Sequence, residues 1–516
     1  MKHPVILLAV IWIASCSSHD FRSPGIDVTK VPTEAGYISG LTSTDRSVLI
    51  FKGIPFAEPP VGNLRWKAPV PVQHWEGIKK CEAFSASAMQ AKPAPFAMWS
   101  KEFMAPEEPL SEDCLYLNVW TPAKNAGQKL PVMVWIHGGA FTSGSGSVPL
   151  YDGEEIAGKG VVFITINYRL GIFGFLAHPE LSKESPQHVS GNYGILDQIA
   201  ALKWVKANIT AFGGDPENVT IAGQSAGAFS VNALVVSPLA KGLFQRAIAQ
   251  SGGMFTTDGS IVTNLENAEK WGLGVTERLK MNMEQFRQMP AEDLLKVTGR
   301  FGVNIDGAIL PSVNETFSTS SQNDVPLMTG WNADEFYFGS PMKALTYKAD
   351  AEKKYGENAS AFLKVFPACT DEEAARSQKL FSVLSFGWQN YHWASVQNET
   401  GKSQSYLYYF SHVPPGLPDF GAFHSAEFGY ALKTLKYWNR PFTAYDHQLS
   451  EIMSSYWVNF ATNGNPNGKG LPEWPSFSSE NPTVMQFGDE VKSMDLPYRP
   501  QLKFLDFIQI SNQSKK

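Results

Sequence analysis

The 516-residue chain predicts an α/β fold. Its expected form is a large, mostly parallel central sheet with crossover helices and helical insertions above the C-terminal edge. Three observations predict it. Val132 to Ile136 and Val161 to Ile166 are near-continuous apolar runs, the pattern of strands covered on both faces. From Tyr193 to Ile209 the period turns helical, with Ile195, Ile199, Leu202 and Ile209 on one stripe. Strand and helix then keep alternating through Val219-Thr-Ile221 and the helix-forming run from Ala226 to Leu234, as parallel strands joined by crossovers require.

The chain opens on a targeting segment. Lys2 supplies a positive start, and Val5 to Ile13 is an apolar run too short to span a bilayer. Ile13-Ala14-Ser15-Cys16 follows, which resembles the lipobox of bacterial lipoproteins. That resemblance implies a signal peptide over 1–15, cleaved before a lipidated Cys16, and an exported, membrane-anchored protein. The other reading is an ordinary secretory signal. The polar residues 16–31 are expected to be a tether, and 32–510 a single catalytic domain. No linker, repeat or low-complexity run divides that domain, and 43% hydrophobic and 12% aromatic residues suffice for a large core. The net charge of −6, with no basic stripe, excludes a nucleic-acid partner.

The remaining elements follow in order. Tyr37 to Ile50 reads as a hairpin around Thr-Ser-Thr-Asp-Arg, and Phe51 to Gly62 as a Pro/Gly-rich surface segment. Cys81 and Cys114 flank a polar stretch that a loop-closing bridge would suit in an exported protein, and Cys369 is left as a lone structural thiol. Leu115 to Trp120 is a strand. Gly213-Gly-Asp-Pro216 reads as a turn before the strand at Val219. Asn264 to Leu295 is helical, an insertion with Trp271, Leu273 and Leu279 available for packing. Val325 to Gly330 and Ser405 to Phe410 are strands, Ala359 to Trp393 is largely helical, and helices over Tyr430 to Lys436 and Asp446 to Ala461 close the chain.

Chemistry concentrates at Gly223-Gln-Ser-Ala-Gly227. A strand before and a helix after make this a nucleophile elbow, too tight for side chains at the flanking positions, with Ser225 exposed at its tip. A serine needs a base, and the base needs a carboxylate. With this elbow the chain order is serine, acid, histidine, which leaves four of the ten histidines: His392, His412, His424 and His447. His392 and His447 fall in helices. His412 and His424 lie near loops, and His424 has small neighbours in Gly421-Ala-Phe-His-Ser-Ala426. Asp334 and Glu335 both follow a strand, where either could be the acid. His137-Gly-Gly-Ala-Phe141, after the strand Val132 to Ile136, offers backbone N–H groups for an oxyanion, as does Ala226; His137 itself is structural.

Further stretches lie in order around the elbow. They are Phe51-Lys-Gly-Ile-Pro-Phe-Ala-Glu-Pro-Pro-Val-Gly62, Ser111-Glu-Asp-Cys-Leu-Tyr-Leu-Asn118, Asn167-Tyr-Arg-Leu-Gly171, Gly191-Asn-Tyr-Gly-Ile-Leu-Asp-Gln198, Phe212-Gly-Gly-Asp-Pro216, Gln250-Ser-Gly252 and Asn459-Phe-Ala-Thr-Asn-Gly-Asn-Pro466. Together they resemble the type-B carboxylesterases, the α/β-hydrolase family that includes cholinesterases, fungal lipases and bacterial para-nitrobenzyl esterases. The resemblance implies hydrolysis of a small-molecule carboxylic ester through an acyl-enzyme, without metal or organic cofactor. It implies Ser225 as nucleophile, Glu335 rather than Asp334 as acid, and His424 rather than His412 as base. It implies oxyanion N–H donors at Gly139, Ala140 and Ala226, a disulfide between Cys81 and Cys114, and a buried Arg65–Glu112 ion pair. Two departures stand out. The family's three glycines are here Gly-Gly-Ala, and Gln224 stands where cholinesterases carry Glu. Lipase, thioesterase or amidase chemistry would use the same triad, whereas a catalytically silent neuroligin-like binding protein would lack a member of it. Met98, Trp99, Phe103, Phe301 and Phe386 are either gorge-lining or ordinary core.

Overall fold

The computed structural model describes residues 25–255, 262–416, 418–480 and 482–513. The expected signal peptide, Cys16 and the first part of the expected tether lie outside the described residues. From Gly25 the chain already runs along the body: Gly25 bridges to Asn125, and the Ile26 N–H donates to the Lys124 carbonyl at 3.2 Å. Among the described residues no helix is long and apolar enough to cross a membrane.

The centre is an eleven-stranded sheet. Seven neighbouring strands run parallel, in the spatial order Val162–Ile166, Leu130–Ile136, Gly214–Gln224, Arg246–Gln250, Leu327–Asn332, Ser405–Phe410 and Thr483–Phe487. Antiparallel strands finish both edges: Val491–Asp495 on one side, and Tyr116–Thr121, Leu49–Pro55 and Leu41–Thr42 on the other. The central strands are buried along their length, which is why their sequences are apolar runs without alternation.

Two crossover helices carry the sequence signal further. Tyr193–Asn208 buries the expected Ile195, Ile199 and Leu202. Ala226–Val236 is buried on every side, so its sequence is apolar all round. It rests so close to the sheet that a Cβ on Gly227 would run into the Ile136 carbonyl. The helix Asp371–Thr400 packs on the strands Leu327–Asn332 and Ser405–Phe410. The Thr370 side chain caps it by accepting from the Glu373 N–H at 3.1 Å, and three acidic residues open its first turn.

Several local readings change. Tyr37 to Ile50 is not one hairpin. Leu41 and Thr42 do pair with Ile50 and Leu49, but Gly36–Ser39 joins a separate three-stranded sheet with Val31–Thr33 and Ile78–Lys80. The chain changes sheet at Gly40, where any Cβ would collide with the Phe51 ring. The turn at Gly213–Pro216 is absorbed into a strand that starts at Gly214, its pairing interrupted between Gly214 and Val219. The insertion after Asn264 forms helices Leu265–Leu279, Met283–Arg287 and Ala291–Leu294, but Leu273 is exposed. Ala268, Gly272 and Val275 form the packing face instead, because Gly272 lets the helix lie against the Ala177 carbonyl.

The expected Cys81–Cys114 disulfide is absent. Both are free, buried thiols. The Cys81 sulfur lies 3.8 Å from the Gly53 carbonyl, whereas Cys114 lines a small cavity with Arg65, Glu112 and Arg169. Burial pushes the Cys81 thiol up to about 12 and the Cys114 thiol higher still, so both stay neutral. The segment between them is held by charge instead. Arg65 Nε donates to Glu112 at 2.7 Å, its Nη2 makes a second bond to the same carboxylate, and its Nη1 donates to the Arg287 and Met289 carbonyls at 2.6 Å each. That full set of partners is what a buried ion pair requires. Cys369 is exposed rather than structural, with its backbone N–H donating to Glu373 at 2.6 Å.

Candidate active site

Ser225 occupies the turn between the strand Gly214–Gln224 and the helix Ala226–Val236, with φ 57° and ψ −124°. Such a backbone costs a non-glycine residue about 1–3 kcal/mol. The Ser225 N–H donates to the Gln250 carbonyl at 2.9 Å, which holds the turn. The flanking glycines are sterically required, because a Cβ on Gly223 would lie 2.5 Å from the Gly227 carbonyl. Between Val219 and Ser237, Ser225 alone is not buried.

The glycine loop passes beside the elbow. A Cβ on Gly138 would lie 2.7 Å from the Gln224 carbonyl and 3.1 Å from Ser225 Cβ. Gly139 has φ 105°, and its carbonyl accepts from the Thr142 and Ser143 N–H groups at 3.0 Å. Ala140 has φ 54°, in the left-handed region, which an L-residue tolerates at about 1–2 kcal/mol. The third glycine is therefore dispensable there. The N–H groups of Gly139, Ala140 and Ala226 have no acceptor among the described residues. The positive end of the helix dipole lies behind them.

Asp334 and Glu335 point apart, and the difference decides their use. The Asp334 carboxylate accepts from Lys379 Nζ at 3.0 Å and from the Ala422 N–H at 3.1 Å. Gly421, at φ 60°, makes room for it. Asp334 thereby braces the loop that carries the histidine. Glu335 is buried; its Oε1 accepts from the Asn332 N–H at 2.9 Å and its Oε2 pairs with His424 Nδ1. The other imidazole nitrogen, Nε2, lies 3.1 Å from Gln224 Nε2, next to Ser225 on the elbow. An amide N–H there donates to an unprotonated Nε2, which matches the tautomer that has its proton on Nδ1 facing Glu335.

The other three candidate bases lie elsewhere, His447 on the helix Ala444–Asn463 with its ring 6.3 Å from that of Phe442. His412 Nε2 pairs with Asp446 at 2.8 Å, away from the elbow. His392 pairs with Asp506 at 2.9 Å. His137 stacks on Tyr168 at 4.3 Å, its Nδ1 donates to the Gly138 carbonyl at 2.8 Å, and burial lowers it to about 4. It is a neutral structural residue.

Ser225, His424, Gly139, Ala140 and Ala226 line one cavity of about 480 Å³ at the C-terminal edge of the parallel strands. Of the five gorge candidates, Trp99, Phe103 and Phe386 line it. Met98 and Phe301 are packed in the hydrophobic clusters instead. Phe336 and Phe386 lie 4.9 and 5.0 Å from the His424 ring, and Trp99 meets it edge-on at 6.3 Å. Trp99 Nε1 also donates to the His424 carbonyl at 3.2 Å.

The sequence profile of the carboxylesterase family matches residues 27–505. The chain belongs to the carboxylesterase family. It is 36% identical over 490 residues to the para-nitrobenzyl esterase of Bacillus subtilis (strain 168), covering 89% of this chain and 95% of that one. It is 35% identical over 483 residues to the fumonisin B1 esterase of Sphingopyxis macrogoltabida, covering 89% and 86%. A solved PNB esterase structure superposes with a TM-score of 0.79 at 33% identity, covering 92% of this chain and 99% of that one. The α/β-hydrolase fold and serine carboxylic ester hydrolysis follow for this carboxylesterase.

Sequence reasoning missed Phe336, Phe229, Tyr151 and Phe428 as cavity residues of this carboxylesterase. For Phe336 a signal existed, since it directly follows Glu335. The other three come from separate elements, and only the packed fold brings them together.

Proposed function

We propose that Ser225, His424 and Glu335 form the catalytic triad, with the N–H groups of Gly139, Ala140 and Ala226 as the oxyanion hole. The observation that carries this reading is the buried Glu335–His424 pair whose other nitrogen, Nε2, meets Gln224 on the elbow beside Ser225. His424 Nε2 takes the hydroxyl proton as Ser225 Oγ bonds to the ester carbonyl carbon. The carbonyl electron pair moves onto oxygen, facing the three N–H groups. Collapse breaks the C–O bond, and His424 gives its proton to the leaving alkoxide. Water repeats the sequence on the acyl-enzyme, and its proton passes through His424 to Ser225.

The substrate is an uncharged, largely apolar ester. Phe336, Phe386, Trp99 and Phe103 supply an aromatic wall, and Lys92 at the rim is paired with Glu107 at 2.9 Å. The amide at Gln224 puts no charge where a cationic alcohol would need one. A series of p-nitrophenyl esters, with a matching anilide and thioester, tests this. Short and medium acyl esters are expected to exceed the palmitate, the anilide and the thioester in kcat/KM by at least about tenfold. A preference for the palmitate would make the enzyme a lipase, and a preference for the anilide an amidase.

The apolar run Val5 to Ile13 and the Ile13-Ala-Ser-Cys16 sequence support export with a lipid anchor on Cys16. Mass spectrometry of the mature N-terminus is expected to find a diacylglyceryl-modified Cys16. An unmodified Cys16, or a start beyond it, rejects the anchor.

A further inference from the structure

Behind the triad lies a second buried carboxylate with no assigned part in the reaction. Glu427 is fully buried, and no lysine or arginine pairs with it among the described residues. Leaving a charge in such a place without partners is costly, so its hydrogen bonds decide its state. Gln250 Nε2 donates to Oε1 at 3.0 Å, and Asn332 Nδ2 donates to Oε2 at 2.6 Å.

Both amides have their orientation fixed from the far side. Gln250 Oε1 accepts from Trp457 Nε1 at 3.0 Å, and an indole N–H can only donate. Asn332 Nδ2 also donates to the Phe423 carbonyl at 2.7 Å, and a carbonyl can only accept. Neither amide can turn to offer its oxygen. Glu427 therefore meets an N–H at each oxygen, the arrangement that favours a carboxylate over a carboxylic acid.

The two bridging residues also hold the triad. The Gln250 carbonyl accepts the Ser225 N–H at 2.9 Å. The Asn332 N–H donates to Glu335 Oε1 at 2.9 Å, while its side chain grips the backbone just before His424. One residue thus separates Glu427 from the nucleophile's backbone, and one separates it from the acid.

Resting on the triad proposed above, we infer that Glu427 is a positioning carboxylate. It fixes the histidine loop and the elbow through Asn332 and Gln250, and its charge supports the imidazolium that forms on His424 during acyl transfer. Three titratable groups face it: Glu335 from the loop after Leu327–Asn332, Tyr408 from Ser405–Phe410, and Tyr151 from the turn before Asp152. Burial, and then the Glu335 charge, push Glu427 up to about 7. Its charge therefore changes within the working range of an esterase. The sign is definite. An ionised Glu427 stabilises the positive charge that develops on His424 in the transition state and lowers the barrier; a neutral one does not.

The test is Glu427→Gln in the full chain, read by the pH profile of kcat/KM on p-nitrophenyl acetate. The expected result is a kcat lower by about 10- to 100-fold, KM within about threefold, and an acid limb displaced to lower pH. Glu427→Asp keeps the charge and is expected to restore the limb towards its original position. If Glu427→Gln does not fold, Gln250→Met serves instead. It removes one of the two donors that hold the carboxylate ionised, leaves the backbone bond to Ser225 in place, and, by raising Glu427 further, must move the limb the opposite way, to higher pH. A limb unchanged in whichever of these two variants folds overturns the inference and leaves Glu427 a structural residue. Ser225→Ala keeps the two readings apart. Full activity in Ser225→Ala rejects the triad itself, whereas an inactive Ser225→Ala beside an unmoved Glu427→Gln limb rejects only the role of Glu427.

Discussion

Ser225→Ala is expected to lower kcat for a small activated ester on the order of 10⁶-fold, with the protein still folded. The hydroxyl is the only atom lost, and among the described residues no hydrogen bond depends on it. Ser225→Gly should be as inactive but more stable than the alanine variant. The alanine keeps the strained φ of 57° and ψ of −124°, which costs about 1–3 kcal/mol, and glycine removes that strain. Against this stands the greater freedom of glycine in the unfolded chain, worth about 0.4–1 kcal/mol. Strain is the larger effect, so the denaturation midpoint of Ser225→Gly should exceed that of Ser225→Ala. Equal midpoints would mean that the strain only matches that entropic cost, and a lower midpoint for Ser225→Gly that the elbow stores none.

Glu335→Gln should cost on the order of 10⁴-fold in kcat with KM little changed. The reason lies in the oxygen count. Glu335 Oε1 accepts from the Asn332 N–H while Oε2 receives the His424 Nδ1–H. A glutamine has one oxygen and one NH₂ to serve both. If its oxygen stays on the Asn332 N–H, its NH₂ faces Nδ1 and forces the imidazole proton to Nε2, where the base must be free. If the amide turns, the Asn332 N–H is left facing an NH₂. Charge and tautomer are lost together. A drop of less than about tenfold would show that the carboxylate is not the base's partner.

The parts of this enzyme that follow from local sterics and periodicity could be read directly from the sequence. The paired glycines of the elbow are forced by contact with each other and with Ile136. The buried strands at Leu130–Ile136 and Val162–Ile166 follow from unbroken apolar runs. The choice within Asp334-Glu335 was different. Spacing could not make it, and the resemblance did so without a reason. The reason is that Lys379 and the Ala422 N–H occupy Asp334, residues far away in sequence. His412 is likewise removed from the site by Asp446.

What stayed hidden depends on long-range packing. Whether Cys81 and Cys114 form a bridge is set by where each side chain points once the sheet is assembled, and here they point to different neighbours. Leu273 looked like core because it is leucine in a helix, yet Gly272 sets the packing face. Glu427 carries no pattern at all. It is one acidic residue three positions after a histidine, and its meaning comes from Gln250 and Asn332 on two other strands.

The most direct test of the central claim is covalent. The protein is inactivated with an alkyl phosphonate, and the modified peptide is identified by mass spectrometry. The account predicts one adduct, on Ser225, formed in step with loss of activity and absent when His424 is replaced by alanine. Inactivation with the adduct on any other residue would contradict it.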